Sequence, residues 1–147
     1  MAINPDYVGR AYPATAPYEV SRVKIAEFAD AIGDPSPVYR DAAAAQAAGH
    51  PDVIAPPTFA IVVSMTGAGR AVADPGLGLD YSMVVHGEQQ FSYTRPITAG
   101  DVVTAQATID SIRSVGSLSM MTTRTEIRTT AGELVCTAVS TLVERGK

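Results

Sequence analysis

The stretch Pro57-Thr58-Phe59-Ala60-Ile61-Val62-Val63-Ser64-Met65-Thr66-Gly67-Ala68-Gly69-Arg70-Ala71-Val72 is built almost without interruption from apolar and small residues. It contains no acidic residue, and Arg70 is its one charge. Proline suits the first helical position, where a missing N–H costs nothing, so the pattern predicts a helix over residues 58–72 opened by Pro57. At 1.5 Å per residue such a helix is about 24 Å long. A helix that is apolar nearly all round is buried nearly all round. Something must wrap it.

The wrapping follows downstream. After the turn-rich Asp74-Pro75-Gly76-Leu77-Gly78-Leu79-Asp80, the segments 83–94, 101–115, 118–129 and 134–144 are rich in Val, Ile, Thr and Tyr. Val103, Ala105, Ala107 and Ile109 alternate with polar neighbours, and so do Met121, Thr123, Thr125 and Ile127. A period of two turns one face inward and one outward. The breaks at Val115-Gly116-Ser117 and Ala131-Gly132-Glu133 are short enough for hairpins.

Upstream, Pro5, Pro13 and Pro17 mark an irregular or partly extended arm. Ser21 sits where a helix N-cap belongs, and Ile25, Phe28, Ala29 and Ile32 then fall on one helical face up to Gly33. Asp41 caps a second short helix over residues 42–48, which Gly49 ends. The sum is an α+β chain, a meandering antiparallel sheet around one buried helix. That is the outline of a hotdog fold, although periodicity alone leaves it one of several α+β candidates.

With 147 residues, 46% hydrophobic and 18% charged, the chain has the size of a single domain over 1–147. A net charge of −4 without any basic run argues against nucleic acid or an anionic membrane as partner. Cys136 is alone, which excludes an intrachain disulfide framework and a cysteine metal cluster. The first residues show no basic and apolar leader pattern, and the longest apolar run, near 59–63, is too short to span a bilayer. A soluble cytoplasmic protein is the expectation.

Two stretches hold candidate chemistry. Gly33-Asp34-Pro35-Ser36-Pro37-Val38-Tyr39 joins two helices, on irregular backbone where functional side chains often lie. Asp34 reads equally as a turn-forming residue, and Tyr39 as a buried aromatic with a tied hydroxyl. Val84-Val85-His86-Gly87-Glu88-Gln89-Gln90-Phe91 is the second. On a regular strand His86, Glu88 and Gln90 share one face, unless Gly87 introduces a bulge. A carboxylate two residues from His86 would orient or charge the imidazole, and a hydrogen-bonded structural histidine is the plainer reading. His50 reads as a loop residue. Two distant histidines make no metal motif. Gly67 and Gly69 suit close packing better than phosphate binding.

These stretches together resemble the MaoC-like branch of the hotdog superfamily. Closer still is the single-hotdog actinobacterial group related to the FAS1-like dehydratase N-terminal domain. The resemblance rests on Val8-Gly9-Arg10, Gly33-Asp34 through Tyr39, Val53-Ile54-Ala55-Pro56-Pro57-Thr58-Phe59, His86-Gly87-Glu88-Gln89, and Arg95-Pro96 followed by Ala99-Gly100-Asp101. It covers nearly the whole chain. It implies a hotdog fold and a component of a (3R)-hydroxyacyl-ACP or hydroxyacyl-CoA dehydratase, of the R-specific enoyl hydratase type, in fatty-acid metabolism.

Against the pattern of active members the chain departs twice. Their Asp-x-Asn-Pro-x-His is similar here at Asp34 and Pro37, but Ser36 replaces Asn and Tyr39 replaces His. A phenol is a poor general base. Where active members open the central helix with His-Gly and aim that glycine's N–H at the thioester oxygen, the aligned pair is Pro56-Pro57, and proline has no N–H to give. His-Gly-Glu-Gln also resembles the substrate-binding half of double-hotdog hydratases. The resemblance thus implies a substrate-binding partner with an incomplete dyad. Its catalytic positions are Asp34, Tyr39 and His86, and its substrate positions are Pro56, Pro57, Thr58, Glu88 and Gln89. Met65, Met83, Met120 and Met121 are candidates to line an acyl tunnel. The ligand expected is acyl-ACP or acyl-CoA, with no cofactor and no metal. The assembly expected is a homodimer in isolation, and a heterodimer with a catalytic MaoC-type subunit remains open. So do a self-sufficient homodimeric hydratase and a non-enzymatic acyl-binding protein. A thioesterase is disfavoured, because residues 57–72 offer no carboxylate.

Overall fold

The computed structural model describes residues 3–146. Met1, Ala2 and Lys147 lie outside them, so the leader reading above touches two residues that are not described. Helix α1, Arg22–Ala31, is started by Ser21, whose Oγ accepts the Lys24 N–H at 3.1 Å. Helix α2, Ala42–Ala47, is started by Asp41, whose Oδ1 accepts the Ala43 N–H at 2.9 Å. Ile25 and Ala29 are fully buried, and Phe28 meets Phe59 edge-on with ring centroids 5.4 Å apart. Ile32 departs from the expected face and is 49% exposed. The helix ends at Ala31, so Ile32 lies at the cap where the chain already turns away.

Helix α3 runs from Ala60–Val72, two residues later than the sequence pattern predicts. Pro57 is not its first residue. The Pro56 carbonyl accepts the Phe59 N–H at 2.9 Å and the Thr58 carbonyl accepts the Ile61 N–H at 3.1 Å. These three-residue bonds form a tighter lead-in turn, and the helix proper is about 20 Å long. Phe59, at its start, is completely buried.

The strands are β1 (Tyr18–Glu19), β2 (Val84–Tyr93), β3 (Val102–Val115), β4 (Leu118–Thr129) and β5 (Leu134–Arg145). They form one antiparallel sheet in the order β1-β3-β4-β5-β2. The two alternations read from the sequence are both inward faces: Val103, Ala105, Ala107 and Ile109 on β3, and Met121, Thr123, Thr125 and Ile127 on β4, are all buried. Val115 pairs with Leu118 across a two-residue turn, and Gly116 has φ 60° at its first central position. That conformation closes a hairpin with the natural strand twist.

Helix α3 rests on this inner face. A Cβ at Gly67 would stand 3.1 Å from both Ala105 Cβ and Thr125 Cγ2, so the missing side chain is what lets the helix approach. Gly69 has open space instead. The helix is not covered all round: Met65 is 51% exposed, and Thr66, Gly69 and Arg70 are exposed beside it. One sheet wraps one side, and the apolar remainder faces outward.

The two sheet edges are treated differently. Beyond β1, the N-terminal arm continues along β3: Thr15, Tyr12 and Gly9 donate to the carbonyls of Ala105, Ala107 and Ile109. The outer edge of β2 has no strand partner among the described residues. Between His86 and Glu88 the register of β2 on β5 slips by one residue. Gly87 forms that bulge, and a Cβ there would lie 3.0 Å from Val143 Cγ2.

Candidate functional site

The positions that the family resemblance marks as catalytic or substrate-binding are distributed over three places. The first is a cleft of about 370 Å³ lined by Tyr39, Pro57, Tyr93 and Arg95 among others. The proline-bounded turn Pro37–Tyr39 aims Tyr39 into it. Burial raises the Tyr39 pKa, and the nearby Asp34 carboxylate raises it further. At neutral pH the phenol is therefore protonated, a hydrogen-bond donor rather than a base. Asp34 does not line the cleft. Its Oδ1 accepts the Ser36 N–H at 3.0 Å, the local bond of a turn-forming aspartate. Pro56 is buried and Thr58 exposed in the lead-in turn of α3.

A residue that sequence reasoning missed completes this cleft. The Tyr93 hydroxyl donates to the Pro57 carbonyl at 2.5 Å, just before the first residue of α3, Ala60. Burial, with the Cys136 thiol close by, raises the Tyr93 pKa well above that of an ordinary phenol. A neutral phenol thus occupies the N-terminal end of α3, where backbone N–H groups otherwise wait for an anionic oxygen. Alternation in β2 marks Tyr93 only as an inward aromatic. Its bond to Pro57 spans 36 positions and has no local signature. Below the cleft, Arg95 is clasped by Asp101 at 2.8 and 3.0 Å and by Glu133 at 3.0 Å, so the Arg-Pro and Ala-Gly-Asp strings close a loop.

The second place is a cavity of about 110 Å³ between α3 and the inner face of β4, β5 and β2. His86 and Gln89 reach it from β2, and Met65 and Gly69 from α3. The bulge at Gly87 is what puts His86 and Gln89 on one face. The third place is the outer face of the sheet, where Glu88 and Gln90 sit with the Gln90 amide donating to Glu88 at 3.1 Å. Glu88 therefore stands on the opposite face from His86, which removes the carboxylate–imidazole pair expected of a regular strand. Of the four methionines expected to line a tunnel, Met65 and Met121 line the inner cavity, Met120 lies on the outer face and Met83 ends a short turn at Tyr81–Met83. Within one chain, then, Tyr39 and Pro57 come together, His86 and Gln89 come together, and the two groups line different hollows. Among the described residues no cluster of His, Cys, Asp and Glu converges as metal ligands, and no helix is long and apolar enough to cross a membrane.

Residues 6–138 match the family model described as "FAS1-like, dehydratase domain region". The chain belongs to that family. The chain is 62% identical over 146 residues to a UPF0336 protein from Thermobifida fusca, covering 99% of itself and 96% of the relative. It is 54% identical over 145 residues to a UPF0336 protein from Streptomyces avermitilis, covering 99% and 97%. Among solved structures it superposes on a MaoC-like dehydratase with a TM-score of 0.87 and 34% identity, over 95% of its own length. It spans only 42% of that longer chain. It also superposes on a chain of the truncated HadBC (3R-hydroxyacyl-ACP dehydratase) complex from Mycobacterium tuberculosis. There the TM-score is 0.79 at 28% identity, over 94% of this chain and 97% of the other. The chain is thus a hotdog protein in the MaoC-like dehydratase group, as the motifs implied.

Proposed function

We propose that this chain is the substrate-binding subunit of a (3R)-hydroxyacyl-thioester dehydratase acting in cytoplasmic fatty-acid metabolism, with a catalytically incomplete site of its own. The observation that carries this reading is the cleft at the start of α3. Tyr39 is a protonated phenol where active relatives resemble a histidine base, position 57 has no N–H, and the Tyr93 phenol fills the end of the helix. Losing the base removes a contribution of typically 10²–10⁴-fold, and losing an oxyanion donor about 10²–10³-fold. Catalysis then belongs to a partner.

The sheet supports such a partner. The arm occupies one edge and leaves β2 bare, with Val85, Met65 and Tyr81 exposed beside it. An unpaired strand edge is a template for another chain. A similar chain is part of the HadBC complex, and at 24% identity the ChsH1-ChsH2 complex shares the fold. In this reading the partner brings an Asp–His dyad, and the cavity with His86 and Gln89 receives part of the acyl group.

Enoyl-thioester hydration by the purified chain, repeated after adding a MaoC-type subunit from the same genome, tests the proposal. Silence alone and turnover in the mixture support it. Robust turnover by the chain alone would make it a self-sufficient hydratase, with Asp34 and His86 the residues to substitute next.

A further inference from the structure

The inner cavity holds a feature that an alkyl chain does not use. Ser64 on α3 and Thr123 and Thr125 on β4 line it, and they are only 4%, 3% and 2% exposed. Among the described residues, none of the three hydroxyls has a hydrogen-bond partner. Yet among the described residues no side-chain oxygen or nitrogen is both sealed from solvent and unpaired. The three oxygens therefore open into the cavity itself.

The strand register extends this polar wall. Thr123 of β4 is opposite Ser140 of β5, and Ser140 is opposite Gln89 of β2. Strands lie about 4.8 Å apart, so the three side chains form a row roughly 10 Å long across the sheet. The Gln89 amide nitrogen donates to the Val139 and Gln90 carbonyls at 3.3 Å, so the amide oxygen is its remaining acceptor at the cavity wall. The remaining wall is mostly apolar, from Ile61, Met65, Val72, Met121 and Leu142, with Tyr81 and His86 adding polar atoms to it. A hydrocarbon here would displace water from the hydroxyls and give nothing back, and a buried polar group without a partner is unfavourable. An occupant with carbon on one side and oxygen on the other satisfies both walls. The volume of about 110 Å³ admits about four water-sized groups at roughly 30 Å³ each.

We infer that this cavity selects a short acyl group carrying a hydroxyl or carbonyl oxygen beyond its reacting carbons, in preference to a plain alkyl chain. The inference rests on the dehydratase-subunit reading and names the acyl class of that subunit.

Calorimetric titration with hexanoyl-CoA, 5-hydroxyhexanoyl-CoA and free CoA tests it, on the chain alone and mixed with the MaoC-type subunit. The hydroxylated thioester should bind about tenfold tighter than hexanoyl-CoA, the span of one well-made hydrogen bond. In the Thr123→Val/Ser140→Ala variant the preference should fall to about twofold or less, with hexanoyl-CoA binding held or improved. Ser140→Ala alone, at a half-buried position, should lower it partway and serves if the double variant does not fold. Equal binding of the two thioesters to the wild type, or a preference that survives the substitutions, overturns the inference and leaves the subunit reading standing. Failure of either thioester to bind better than free CoA, alone and in the mixture, overturns the subunit reading and the inference with it.

Discussion

Tyr39 and Gly87 show how far a single residue's meaning depends on what faces it. Tyr39 is protonated at neutral pH and placed beside Pro57, so in the proposed complex it positions rather than reacts. Tyr39→Phe should leave hydration by the mixture within about threefold, against the 10²–10⁴-fold cost of removing a general base. A loss of that larger size would return Tyr39 to the catalytic step. The His-Gly-Glu-Gln string was legible as unusual but not as geometry. On a regular strand His86 and Glu88 share a face, and only the register slip at Gly87 against β5 shows that they do not. Gly87→Val should force the bulge open and lower stability by about 1–3 kcal/mol, the usual range for overpacking. Urea unfolding would measure it, and an unchanged midpoint would mean that the bulge yields without cost.

At the scale of elements, what the sequence made legible was whatever repeats locally. The two inward alternations on β3 and β4, the caps Ser21 and Asp41 and the glycine hairpin all follow from neighbours a few positions away. The start of α3 was read two residues early because a proline pair suits a helix start and a tight turn equally. The hydroxyls of Thr123 and Thr125 were visible as polar residues on an inward face, but the cavity that explains them needs α3 in place. The arm reads as irregular or partly extended, and its partner has no local signature, since its bonds reach β3 about 90 residues away. One clasp holds that arm to the end of α3. Asp74 accepts from Arg10 and from Tyr12, each at 3.0 Å, and from the Gly76 N–H at 3.0 Å. Burial alone would raise the Asp74 carboxyl, but the Gly76, Tyr12 and Arg10 donors outweigh it and hold the pKa below the ordinary 3.8. Burial and the bond to Asp74 push Tyr12 up to about 12. A depressed carboxyl stabilises above its unfolded pKa and loses that contribution as pH falls through its folded value. A raised phenol loses its contribution as pH climbs from about 10 to about 12. The clasp is therefore whole between about pH 4 and pH 10. The gap in melting temperature between wild type and Asp74→Asn should be full at pH 7 and narrow at both extremes. A gap that persists below about pH 3 would show that charge on Asp74 is not what holds the arm.

At the scale of the molecule, the bare edge of β2 and the exposed strip of α3 belong together, because both lie on the side that the sheet leaves open. Val85, on the outer face of that edge strand, is 43% exposed. Val85→Glu should leave the isolated chain within about 0.5 kcal/mol of wild-type stability, as surface changes usually do. It should abolish association with the catalytic subunit in light scattering and with it the activity of the mixture. Undiminished assembly would move the interface elsewhere. The arm along β3 has its own consequence for assembly. Because the arm lines one edge, the proposed assembly would have a valence of one for strand addition: a partner on β2 would terminate growth instead of extending it. A pair would be the end point of that assembly, with surplus chain left as singles or pairs instead of growing into filaments. Cutting away the arm would raise the valence to two and turn a self-limiting union into an open-ended one.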